Sequence, residues 1–489
     1  MKLFKGFLSI LVVLAVWNMP VPEGLTVDAM RYLGIFLAVV LALILEPLPN
    51  SAVGLIGVAL AAALRLVPLA DGKPANAAGA LNWALSGFID STVWLIFVAY
   101  MFAMGYEKTG LGKRIALILM KKLGGGALGL GYATALSDLV LAPFIPSNTA
   151  RSAGSVYPVV KNIPPMYGSF PDNEPRKIGA YLMWICIAVT SVTSSMFFTG
   201  LAPNLLARTL VGNAMKADPA SVISWGQWFV CMLPAGVILF ILVPLITYVI
   251  YPPTQKLFPE TPKWAEAELE KLGPTSGKEW LMALMAVIAL LLWIFGDKAW
   301  LMGGYTINAT LVAICVLCLM IVFQIVSWDD VVSNKGAWNT LVWFATLVAM
   351  ASGLARVGFL KWLGAVFAAK LEGQTVVIVI FGLLALFYFA HYFFASLTAH
   401  TTALLPVLMA TGAAIPGVDL RLLGMVLAGS LGIMGILTPY GTGPSPVYYN
   451  TGYIGKKTFW AFGTLYGVIF FAVYAVFAMY WFPKALTLI

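Results

Sequence analysis

Two short runs carry polar chemistry in an otherwise apolar chain: Ser147-Asn148-Thr149-Ala150-Arg151 and Ser396-Leu397-Thr398-Ala399-His400. Each places two hydroxyls two residues apart and a basic side chain four residues after its serine. Hydroxyls and an amide can donate to carboxylate oxygens, and Ser147 or Thr149 suits the N-cap of a following helix. The amides at a helix N-terminus form a ready anion site. The basic residues sharpen this reading, because a cation at bilayer depth costs about 3 kcal/mol on insertion scales and usually faces a cavity. Arg151 is permanently charged and can fork onto a carboxylate. His400 donates from a neutral ring or carries charge, according to its surroundings. One in each run, they predict two positive groups flanking a dianion. The competing readings are hydroxyls that only cap helices or cement helix contacts, an Arg151 that snorkels or pairs with Asp138, and a His400 that serves as an interhelical donor. His391, the only other histidine, reads as structural.

The elements that would position these runs are broken helices. Pro143 and Pro146 stop the helix arriving at the first run, since proline lacks an N–H and clashes with the preceding turn. The helix leaving it, from about Ala150 to Val160, would be roughly 16 Å long, about half the hydrocarbon core. Residues 128–160 are therefore expected to form a re-entrant hairpin, with a second at about 375–415. Irregular backbone at that depth is tolerated only where it lines a protein cavity. Thr199, Gly200 and Asn204 in one half, and Thr442, Gly443 and Ser445 in the other, mark two further expected helix breaks, either kinks or additions to the site.

These features recur at a nearly constant displacement. Thr92, Gly105 and Gly110 match Thr340, Gly353 and Gly358 at an offset of 248, and the two Ser-x-Thr runs match at 249. Thr199-Gly200-Leu201-Ala202-Pro203 matches Thr442-Gly443-Pro444-Ser445-Pro446 at 243. Three matches in one order signal an internal repeat, which in a polytopic protein points to a secondary transporter. The loop before the first run carries Lys108, Lys113, Arg114, Lys121 and Lys122, whereas its counterpart carries Arg356, Lys361 and Lys370. That asymmetry predicts inverted repeats, with the first loop in the cytoplasm. The expected divisions are an N-terminal membrane helix in 1–28, a first repeat over 29–251, a polar cytoplasmic linker over 252–279 and a second repeat over 280–489. The N-terminus reads as a retained helix because Asn18-Met19-Pro20-Val21-Pro22 lacks a small-x-small cleavage site.

Of the 489 residues, 61% are hydrophobic and 10% charged. An ordinary soluble domain has about 25% charged residues, so the composition excludes a water-soluble enzyme and predicts an all-α polytopic membrane protein of about eleven spans plus the two hairpins. The formal charge of +9 reads as basic cytoplasmic loops; no aromatic-rich basic patch suggests nucleic acid. Cys186, Cys231, Cys315 and Cys318 lie in apolar runs and read as packing residues. No catalytic arrangement, metal cluster or cofactor motif is present: Leu111 stands where a phosphate-binding loop after Gly105 and Gly110 would need lysine.

The chain resembles the divalent anion/sodium symporter (DASS) family over nearly its whole length. The matching motifs are Gly105–Gly112 (GYEKTGLG), Pro146–Arg151 (PSNTAR), Ser327–Asp330 (SWDD) and Leu437–Pro446 (LTPYGTGPSP). The resemblance implies scaffold and transport domains, two re-entrant hairpins, a homodimer in the lipid bilayer and elevator-type movement. It implies substrate contacts from Ser147, Asn148, Thr149, Ser396 and Thr398. Leu397 replaces the asparagine of the symporter pattern, so Arg151 and His400 are expected to supply fixed charge in place of sodium, as in the exchanger branch of citrate/succinate and tartrate/succinate antiporters and 2-oxoglutarate/malate translocators. An empty pocket would then carry uncompensated charge across a low-dielectric barrier, which favours movement only when loaded. The expectation is a sodium-independent inner-membrane antiporter of succinate, malate, tartrate, 2-oxoglutarate or citrate. A sodium-coupled dicarboxylate symporter is the alternative, with an anion channel as the rival from another class.

Overall fold

The apolar runs form helices throughout a computed structural model that describes residues 2–217, 222–296, 303–371 and 373–488. Among these residues the regular structure is helical, with one isolated bridge between Gly126 and Leu257. Among the described residues, eight helices are long and apolar enough to cross a bilayer, from Val27–Leu45 to Lys456–Tyr480. A ninth span arises if Ala77–Ile89 and Ser91–Thr109, bent by 41°, are taken together. Shorter apolar helices include Phe4–Trp17, Ala127–Leu141 and Leu397–Ala413. The protein is thus an all-α polytopic membrane protein. Cys315 and Cys318, read from the sequence as packing residues, are exposed on helix Ala309–Val322.

The chain divides into two compact units, each drawing segments from both sides of the linker. The first comprises Met1–Phe97, Leu205–Ile223 and Asn334–Ala428. Helix Lys335–Arg356 runs through it, and small residues bring its neighbours close. A Cβ on Gly54 would lie 2.1 Å from Thr346 Oγ1, and one on Gly353 would lie 2.1 Å from the Tyr32 hydroxyl. Buried aromatic polar ends are satisfied on the same helix: Tyr32 donates to Met350 O at 2.6 Å and Trp83 Nε1 to Ala349 O at 3.1 Å. Helix Val376–Phe389, a 3-10 turn Ala390–Phe393 and helix Leu397–Ala413 follow in this unit.

The second unit comprises Val98–Asn204, Ser224–Ser333 and Gly429–Ile489. Every residue of helix Gly179–Met196 is buried. It packs against helices Ala127–Leu141 and Trp225–Ile250 and the turn Leu431–Met434. Glycines permit these approaches: a Cβ on Gly131 would lie 2.6 Å from the Tyr181 hydroxyl, and one on Gly432 would lie 2.5 Å from Ser195 N.

The charged stretch 252–279 is not only a connector. Glu260–Leu272 is a helix that packs on helix Leu111–Leu123. Lys113 pairs with Glu268 at 3.3 Å and Lys121 with Glu266 at 2.8 Å, while Arg114 grips Glu279 through two nitrogens and donates to Gly273 O at 3.0 Å. High charge concealed the helix, although its i,i+3 pairs Glu260–Lys263 and Glu268–Lys271 have helical spacing.

Candidate functional site

Helix Ala127–Leu141 ends at the proline-bounded segment, and the chain reverses at Ser147. Ser147 Oγ accepts from Ala150 N at 3.2 Å, and Ser147 O accepts from Arg151 N at 2.9 Å. The returning arm was expected to be an α-helix from about Ala150 to Val160. It is helical over that span, but Thr149–Val156 is wound as a π-helix before the α-turn Tyr157–Val160. π-Winding is rare and occurs mostly at functional sites. It leaves Arg151 and Ser152 both buried. Ser152 shares a 2.8 Å hydrogen bond with the Tyr448 hydroxyl, which donates to Ser152 O at 3.0 Å.

This tip lies against both predicted helix breaks. Ala202 N donates to Pro146 O at 2.7 Å, and the Thr199 hydroxyl donates to Pro143 O. Asn204 Nδ2 holds the first break closed through Ser194 O at 2.7 Å and Phe197 O at 3.2 Å. Asn148 Nδ2 donates to Thr442 Oγ1 at 2.6 Å. Gly443 lies so near Thr149 that a Cβ there would be 2.0 Å from Thr149 Oγ1. Ser147, Asn148, Thr149, Arg151, Thr199, Gly200, Asn204, Thr442, Gly443 and Ser445 therefore gather in one corner of the second unit. Ser147 and Thr149 are half-buried and Gly443 is exposed, so the corner has an open edge. Behind that edge Ser445 Oγ, Thr438 Oγ1 and Asn204 Oδ1 are buried without a hydrogen-bond partner among the described residues. Such groups are costly to leave unsatisfied and suit a polar ligand or water.

Arg151 is the hub of the corner. It is fully buried, and each of its nitrogens faces the protein. Nε pairs with Asp138 Oδ2 at 3.1 Å, and Nη1 donates to Ile145 O at 2.9 Å and Gly200 O at 2.7 Å. Nη2 reaches Thr190 Oγ1 and Thr193 Oγ1 at 3.2 Å and Ser194 Oγ at 2.9 Å. The fork drawn from the sequence as open to a carboxylate is closed on these oxygens, and the pairing with Asp138 is the one formed. The sequence reading passed over Thr190, Thr193 and Ser194. Their signal was five hydroxyl residues between 190 and 195 in an otherwise apolar span.

The second run lies in the first unit and repeats the local geometry. Ser396 Oγ accepts from Ala399 N at 3.3 Å, and Ser396 O accepts from His400 N at 3.0 Å. Ser396 is half-buried, while Thr398 and His400 are buried. The His400 ring sits among Phe387, Phe394 and His391 at centroid distances of 4.4, 4.9 and 5.1 Å. Neither of its nitrogens has a hydrogen-bond partner among the described residues, so the competing reading of His400 as an interhelical donor is not met there. The residue equivalent to Arg151 in sequence thus occupies an aromatic setting instead of an oxygen-lined one.

The sequence model for the sodium:sulfate symporter transmembrane region matches residues 1–488. The chain belongs to the divalent anion/sodium symporter family. Among its relatives in that family, the L-tartrate/succinate antiporter of Escherichia coli strain K12 is 44% identical over 486 residues, covering 98% of this chain and 97% of the relative. The protein of the same name from Shigella sonnei is 44% identical over 488 residues, covering 98% of both. Two solved structures share the fold at low identity. The Alcanivorax borkumensis YdaH transporter has a TM-score of 0.59 at 15% identity and covers 95% of this chain and 99% of its own. Neisseria gonorrhoeae MtrF has a TM-score of 0.55 at 12% identity and covers 96% and 97%. This DASS protein is a multi-pass inner-membrane transporter of the exchanger branch, not an enzyme.

Proposed function

We propose that the protein is a sodium-independent antiporter that exchanges one dicarboxylate entering the cell for another leaving, with succinate and tartrate as the first candidates. Malate, 2-oxoglutarate and citrate are further candidates of similar chemistry. The observation that carries this reading is the guanidinium of Arg151 held among carbonyl, hydroxyl and carboxylate oxygens beside the Ser-Asn-Thr tip. A cation tethered to the chain cannot dissociate. It stands among these oxygens where a symporter would hold a dissociable sodium, so the carrier needs no sodium to bind its anion. The 44% identity to antiporters over nearly the full length supports the same reading.

In this mechanism Ser147, Asn148 and Thr149 donate to substrate carboxylates at the open edge of the second unit, and Ser396 and Thr398 offer the same donor types within the first. Arg151 acts through its field and by holding the tip to the 199–201 break. His400 brings two ring nitrogens, unpartnered among the described residues, to the second repeat, one able to donate and one to accept. Thr442 and Ser445 complete the polar lining. The protein works as a homodimer, each protomer carrying substrate by an elevator movement of its transport domain. Proteoliposomes test the proposal: labelled succinate should accumulate only when a dicarboxylate is preloaded, equally with and without sodium. Uptake into empty vesicles driven by a sodium gradient would replace this reading with the symporter for which the matched family model is named.

A further inference from the structure

We infer that Asp138 sets the substrate charge the carrier accepts, by cancelling the charge of Arg151. The inference rests on the antiport reading above. Arg151 and Asp138 are 0% and 3% exposed, and their side chains are 3.1 Å apart. The hydroxyl of Thr193 also donates to Asp138 Oδ2, while Oδ1 has no hydrogen-bond partner among the described residues. The carboxylate lies against the guanidinium and accepts the Thr193 hydroxyl hydrogen, so the ion pair brings the buried corner beside Ser147 to a local sum of zero. In a poorly screened interior each charge added or removed is felt at the neighbouring site. The pair thus suits a dianion already met by the neutral donors of the tip. An unopposed Arg151 would favour more highly charged carboxylates, and an unopposed Asp138 would favour less charged ones. Asp138 touches no open edge, so it acts as a specificity-determining residue through Arg151.

The test is a charge ladder. Arg151→Gln leaves the corner at −1. The wild type and the Asp138→Asn/Arg151→Gln double variant stand at zero, and Asp138→Asn stands at +1. At pH 8, monomethyl succinate, succinate and citrate carry one, two and three charges. Their inhibition constants against labelled succinate counterflow are measured in proteoliposomes for each protein. The expected result is that the ratios among the three inhibition constants shift on the order of tenfold per rung toward the more highly charged anion, with the double variant showing the wild type's ratios even though its absolute constants are weaker. A merely structural role would instead leave the ratios in the double variant no nearer the wild type's than those in Arg151→Gln. That outcome, or equal charge selectivity in every variant, overturns the inference. If Asp138→Asn does not fold, Arg151→Gln against the double variant still decides it. A wild type that shows no succinate counterflow would overturn the antiport reading itself, a result separate from any change along the ladder.

Discussion

At the scale of single residues, the two serines do parallel work. Each accepts the amide three residues ahead and positions the start of a returning helix. Ser147→Ala or Ser396→Ala is expected to raise the apparent KM for the exchanged dicarboxylate about tenfold, since a hydrogen bond to a charged group contributes roughly 1.5–3 kcal/mol; counterflow at varied substrate concentration measures it. Arg151→Lys keeps the charge but replaces a planar five-donor fork with a point charge that cannot reach all its oxygens. Exchange should fall at least tenfold while the protein still elutes from gel filtration as the wild type does. The polar residues of both runs were legible because their repetition made chance unattractive. The destination of the Arg151 fork was not, because Asp138, Thr190, Thr193 and Ser194 come from two other helices. Sequence spacing offered Asp138 only as an alternative and did not register the hydroxyls at all.

At the scale of elements, the polar stretch turns out to hold helix Leu111–Leu123 from outside. Arg114 is its main tie, since both members of the Arg114–Glu279 pair are largely buried. Breaking such a pair by removing one partner costs on the order of 3 kcal/mol, so Arg114→Gln should lower the thermal midpoint in detergent by several degrees, read by tryptophan fluorescence. A second tie responds to acid. The Lys108 ammonium and the backbone of Ser327 pull the Asp330 carboxyl down to about 2. Because its folded value lies below the unfolded one near 4, its contribution is present above pH 4 and is lost as pH falls through 2. The stability gap between wild type and Asp330→Asn should therefore be constant from pH 7 to 5 and close toward pH 2, as a thermal series in detergent would record. Helix ends and breaks were legible from proline, glycine and serine. The π-winding of the returning arm was not, because no residue type encodes it; its Ser152–Tyr448 and Arg151–Ile145 contacts are ones only the folded chain makes.

At the scale of the whole molecule, the sparse charge and long apolar runs were enough to assign an all-helical membrane protein, and the repeated motifs were enough to suggest a carrier. The two compact units mix segments from both repeats, an arrangement that no linear division of the sequence could anticipate. If the protein is a homodimer, native mass spectrometry from detergent should give twice the chain mass, and dilution should not abolish counterflow.

Helix Gly179–Met196 touches no lipid in the finished fold, since all its residues are covered by protein. Nothing therefore selects it to be greasy, and it carries the hydroxyl shelf under Arg151. The consequence falls on biogenesis. A nascent chain ending just past this helix offers the insertion machinery a weak stop signal, whereas one that includes the strongly apolar Trp225–Ile250 brings a partner to shelter it. Reporter fusions after Leu201 should accordingly report mixed orientations, and fusions after Tyr251 a single one.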